Sequence, residues 1–91
     1  MIRAVFTHRR VTVEGHAGYA PAGQDIVCAA ASALLYALLG VLEEKGAVKE
    51  AIIRPGYATI AAGEGGEAAL ELVRCGFAQL SGRYPDYVRV E

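Results

Sequence analysis

Metal-ligand patterns are missing from this chain. It has two cysteines, Cys28 and Cys75, and neither belongs to a CxxC pair or a Cys/His cluster with ligand spacing, which argues against a structural zinc site. Net charge is also scarce. Nine Lys and Arg stand against ten Asp and Glu, a balance of -1, so no global field draws the chain to nucleic acid, and direct nucleic-acid binding is not expected. The opening Met1-Ile2-Arg3-Ala4-Val5-Phe6 lacks the longer apolar stretch and small-residue cleavage site of a signal peptide. Together with two unpaired thiols, that predicts a reducing, cytoplasmic home. No linker or low-complexity tract divides the chain, so residues 1–91 are read as one domain.

What is present is apolar residue in quantity, 54% of the chain against 21% charged, enough for a compact core. Ile2, Ala4 and Phe6 alternate with Arg3 and Thr7, and Val11 and Val13 with Thr12 and Glu14. That is strand periodicity, with a hairpin at His8-Arg9-Arg10. Glycines and a proline make residues 15–23 a loop. Asp25 then precedes an Ala- and Leu-rich run over residues 26–42, ended by Glu43-Glu44-Lys45-Gly46, which predicts the main helix. Seventeen nearly uncharged residues raise the question of a membrane span; the weak hydropathy of alanine, and flanking strands able to cover the helix on several sides, favour a buried core helix and no membrane. Two further strands, residues 49–54 and 57–62, flank Pro55-Gly56, a pair suited to a type II turn. Residues 67–84 place Ala69, Val73, Phe77 and Leu80 at helical steps, an amphipathic second helix stopped by Pro85. Residues 87–90 can form a last strand. The expectation is an α/β fold of order strand, strand, helix, strand, strand, helix, strand, its sheet carrying a buried central helix and the second, amphipathic one.

Cys28 falls about three positions into the main helix if Asp25 is its N-cap. Free backbone N–H groups and the helix dipole favour a thiolate there. The thiolate is the attacking species of cysteine chemistry, and His16 is the imidazole near enough in sequence to pair with it and return a proton to a leaving amine. The loop between them joins a strand end to a helix start, so both groups can meet over one cleft. N–H groups at the helix start, that of Cys28 included, are the expected oxyanion donors. An isolated cysteine is nevertheless more often core packing than nucleophile, and the residues by themselves leave both readings open. So do they for the neighbours. Asp25 can cap the helix through the N–H of Val27 or Cys28, or fix the histidine tautomer as third member of a triad, and like-charge repulsion beside a thiolate favours the cap. Ser32, four residues after Cys28, can line the site, orient His16 or bond its own backbone. Gly18 and Gly23 can hinge a lid over the substrate, with Tyr19 as its apolar wall. Tyr36 and Cys75 are expected in packing roles.

Gly15-His16-Ala17, the run Gly23-Gln24-Asp25-Ile26-Val27-Cys28-Ala29-Ala30, and Ser32 together resemble the ribosomal-processing cysteine protease family, Prp. The resemblance implies an α/β domain of this element order and a cytoplasmic endopeptidase that uses no cofactor. It further implies that the substrate is a large-subunit ribosomal protein carrying an N-terminal extension, cut after an aromatic residue, and that the enzyme is a homodimer. Position by position, it places the catalytic pair on His16 and Cys28 and the motif's Asp and Ser on Asp25 and Ser32.

Two rival readings come from other classes. His8-Arg9-Arg10, with Arg3, can form a local basic edge for a non-catalytic module bound to the ribosome or RNA, or simply a solvated turn. A reactive Cys28 can also serve as a redox sensor, although Cys75, on the other helix, is no presumptive partner.

Overall fold

A computed structural model describes all residues, 1–91. The elements are β1 (Ile2–Thr7), β2 (Arg10–Glu14), α1 (Ile26–Glu44), β3 (Val48–Arg54), β4 (Tyr57–Ala62), α2 (Glu67–Arg83) and β5 (Val88–Val90). The predicted order is the observed one, with boundaries moved by two residues at most. The strands form a single mixed sheet of order β3-β4-β2-β1-β5. β1 pairs antiparallel with β2 and parallel with β5, and β4 pairs antiparallel with both β2 and β3.

Alternation decides which face is buried. The register sets Ala4 opposite Val13, Val13 opposite Ala58, and Val11 between Phe6 and Ile60, so one face is continuously apolar. Both helices contribute to the cluster on that face, through Val27, Ala31, Leu35, Leu38 and Leu42 of α1 and Leu70, Val73 and Phe77 of α2. Phe77 meets Phe6 edge to face, ring centroids 5.9 Å apart. The opposite face is polar. There Arg10 bonds Glu50 at 2.5 Å and Thr59 at 2.9 Å, and Thr59 also meets Thr12, which satisfies the one buried polar side chain of the sheet.

Two turns show how local chemistry sets the layout. Between Arg54 and Tyr57, which are paired across β3 and β4, Gly56 takes φ +74°, the left-handed value that a type II turn demands after proline. After α1, Gly46 at φ +65° ends the helix as the glycine stop predicted.

The main helix departs from expectation in its burial. Its sequence is long and apolar enough for a membrane span, with mean hydropathy 2.1, yet only one stripe faces the core; Ile26 and Tyr36 are 56% and 60% exposed. One sheet face and α2 cannot surround a helix in a domain this small, so it is half-buried rather than enclosed. The same limit corrects two packing assignments. Tyr36 lies on the solvent side, and Cys75 is exposed on α2.

Candidate active site

Asp25 starts α1 as a cap and holds more than the helix. Its Oδ1 accepts the N–H groups of Val27 at 3.0 Å and Cys28 at 2.9 Å, while Oδ2 accepts those of Tyr19 at 3.0 Å and Ala20 at 3.4 Å from the preceding loop. The Cys28 N–H foremost, helped by Tyr19 and Ala20 and opposed by desolvation, holds the Asp25 carboxyl below the usual carboxylate range. Both oxygens are engaged by backbone. No hydrogen bond joins Asp25 to His16.

Cys28 is the third residue of α1 and half-buried. Its own N–H is spent on the cap, as is that of Val27, and Ala29 N–H bonds the Asp25 carbonyl. The cap thus engages the N–H groups of Val27 and Cys28, the latter one of the expected oxyanion donors. The amide that does face the sulfur comes from the loop, where the buried Ala17 donates its N–H to Cys28 Sγ at 3.3 Å.

His16 is fixed mainly through its backbone. The Met1 nitrogen donates to the His16 carbonyl at 2.6 Å, and Gly15 N–H bonds the Gly56 carbonyl at 2.9 Å. Gly15 has φ +90°, and a Cβ there would stand 2.4 Å from the Met1 carbonyl oxygen, so only glycine lets the chain pass before the histidine. His16, Cys28 and Ser32 line two adjoining cavities. One, of ≈ 560 Å³, is completed by Gly18, Ala20, Ala22, Gly23, Asp25 and Ala29. The other, of ≈ 230 Å³, runs toward the β3–β4 turn, where Pro55, Gly56 and Tyr57 contribute.

The structure thus gathers His16, Cys28, Asp25, Ser32, Gly18 and Gly23 about one place. Tyr19 is not among the lining residues. Its ring instead packs edge-on against Tyr84 at 5.5 Å and Tyr87 at 5.2 Å, because aromatic partners at the β5 end offer more contact than an open cleft. Sequence reasoning had no sign of that cluster, which joins residues more than sixty positions apart. In the sequence Pro55-Gly56 reads purely as a turn; no local signal says that a turn forty residues on reaches the histidine. The basic edge is largely neutralised. Arg10 pairs with Glu50, and Arg9 stands 3.7 Å from Glu67. No group of three or more His, Cys, Asp or Glu side chains converges with metal-ligand spacing.

Chemically, a thiol at a helix start, a donor N–H at its sulfur, and an imidazole on the same open cavity can support nucleophilic attack on a carbonyl and proton return to a leaving group.

Comparison with known proteins points the same way. A family model described as cysteine protease Prp matches residues 1–89. The ribosomal processing cysteine protease Prp of Mycoplasma pneumoniae is 46% identical over 39 residues, 43% of this chain; the matched segment is 39% of that relative's length. Among solved structures, an essential ribosomal processing protease Prp from S. aureus in complex with a covalently linked product peptide superposes with TM-score 0.84 at 19% identity, over 99% of this chain and 95% of that one. SMU.848 from Streptococcus mutans gives TM-score 0.82 at 29% identity, over 100% and 92%.

Proposed function

The chain belongs to the cysteine protease Prp family, and from that premise we propose that it is an endopeptidase that removes the N-terminal extension of a large-subunit ribosomal protein, with Cys28 as nucleophile and His16 as its base. The observation that carries this reading is the shared cavity, in which Cys28 Sγ receives the Ala17 N–H and His16 and Ser32 stand on the same wall. Cys28 Sγ attacks the scissile carbonyl carbon, and the negative charge that develops meets the Ala17 amide and the positive end of α1. The C–N bond then breaks, and the amine leaves with the proton held by the imidazolium of His16. Water, deprotonated by His16, hydrolyses the thioester and frees the new carboxyl terminus and the thiol. The relatives in Mycoplasma pneumoniae and S. aureus carry ribosomal processing in their names, which supports the choice of substrate.

Incubation with a panel of N-terminally extended large-subunit ribosomal proteins, followed by mass spectrometry, tests the proposal. The wild type is expected to shorten one of them, Cys28→Ala none, and His16→Ala the same one about 10²–10⁴-fold more slowly. Cleavage by Cys28→Ala at the wild-type rate would overturn the assignment. The same reading extends to a proposed homodimer in the cytoplasm. The exposed apolar Ile26, Tyr36 and Leu72 of the two helices offer surface for a second copy; sedimentation showing only a 9.6 kDa species would remove it.

A further inference from the structure

The β3–β4 turn lies outside the motif that holds His16 and Cys28, yet it closes on His16 in two ways. The Gly56 carbonyl accepts the Gly15 N–H and so fixes the backbone one residue before the histidine. At the same point the Gly56 Cα lies against the imidazole. A Cβ built on it would stand 2.9 Å from His16 Cε1, 3.5 Å from Nδ1 and 3.8 Å from Nε2. The ring rests on the bare side of a glycine, with Pro55 and Tyr57 lining the cavity to either side.

We infer that Gly56 is a positioning residue for the reaction: its missing side chain leaves the space in which the His16 imidazole stands, and its carbonyl sets the segment whose Ala17 N–H reaches Cys28 Sγ. The role rests on His16 acting as the base. Any Cβ at this position must displace the ring, since 2.9 Å lies inside van der Waals contact. That displacement costs little stability, because the imidazole is the free end of a side chain beside an open cavity and can swing aside. It costs geometry instead. A misplacement of about 1 Å at a reacting group can lower the rate by about 10²-fold.

Gly56 also has φ +74°, so a substitution strains the backbone as well as meeting the ring. The control is Gly46, at φ +65° with nothing within 4 Å of where its Cβ would lie. Gly46→Ala carries the strain without the contact. Asparagine tolerates the left-handed region better than alanine but still brings a Cβ. The experiment measures kcat, KM and the melting temperature for Gly56→Ala, Gly56→Asn, Gly46→Ala and His16→Ala on the same cleavable substrate. Expected are a fall in kcat of about 10–100-fold for both Gly56 variants, KM within about threefold of wild type, and Gly46→Ala at full kcat. Gly56→Ala should melt no lower than Gly46→Ala. Wild-type kcat in Gly56→Ala beside an inactive His16→Ala overturns the positioning role alone. Recovery in Gly56→Asn, or a kcat loss matched by Gly46→Ala, overturns it too, assigning the effect to backbone strain. Wild-type kcat in His16→Ala overturns the reading of the base itself, and this role with it.

Discussion

Asp25 stands between two roles that its neighbours decide. Four backbone N–H groups occupy its two oxygens, two from the first turn of α1 and two from the loop that precedes it, so a single carboxylate fastens the helix start and the loop together. Asparagine can accept at one of these sites and alanine at none. Asp25→Asn is therefore expected to melt between wild type and Asp25→Ala, with cleavage falling in the same order; thermal unfolding and the rate of substrate shortening check both. Asp25→Asn with an intact melting point and abolished cleavage would instead assign the carboxylate to the histidine. Cys28 has the complementary lesson. A cysteine at a helix start, and a cap able to take its N–H, were legible from Asp25 and the apolar run behind it, but not that the Ala17 amide would face the sulfur.

At the scale of elements, α1 separates periodicity from surroundings. Its composition names a helix without naming its buried side, since alanine and leucine occur all around it. Contact with the sheet and α2 selects Val27, Ala31, Leu35, Leu38 and Leu42. Leu38→Ala is expected to cost about 2–5 kcal/mol in denaturant unfolding, by lost burial and the cavity left behind. Leu72, 72% exposed on α2, should change the stability of the dissociated protomer by no more than about 0.5 kcal/mol when replaced by Ser. Equal losses at the two positions would contradict the assigned faces. The strands were easier to read, because alternation with a period of two points to one face without help from a partner. Pro55-Gly56 fixed its own turn type for the same reason, as both residues restrict the backbone locally.

Across the whole molecule, four carboxylates share a response to acid. Asp25 is held low chiefly by the Cys28 N–H, Glu67 by backbone N–H groups at the start of α2, Glu71 by Arg74, and Glu91 by Arg3. The unfolded chain takes up protons near the ordinary carboxyl values of about 4, whereas the folded one does so only at lower pH. Their stabilisation is thus complete above that range and is lost as pH falls through the folded values. The denaturant midpoint should be level between about pH 7 and 5 and decline below about 4.5. Salt should weaken the shares of Glu71 and Glu91, whose ion pairs are exposed, more than that of Asp25, which bonds backbone. A midpoint that rises on acidification would contradict the sign.

Residues near one another in the chain determined much by themselves: the element order, the β3–β4 turn, the cap at Asp25, and the motif from Gly15 to Ser32 with its family. Each rests on backbone preferences, a side-chain period or a contiguous pattern, which act over a few residues or are read in place. Tertiary structure alone decided which face of α1 is buried, where Tyr19 packs, which amide meets Cys28, and that Gly56 lies beneath His16. Those depend on residues forty or more positions apart, or on which of several nearby donors is satisfied first. Such competition is resolved by packing geometry, for which no local pattern is a substitute.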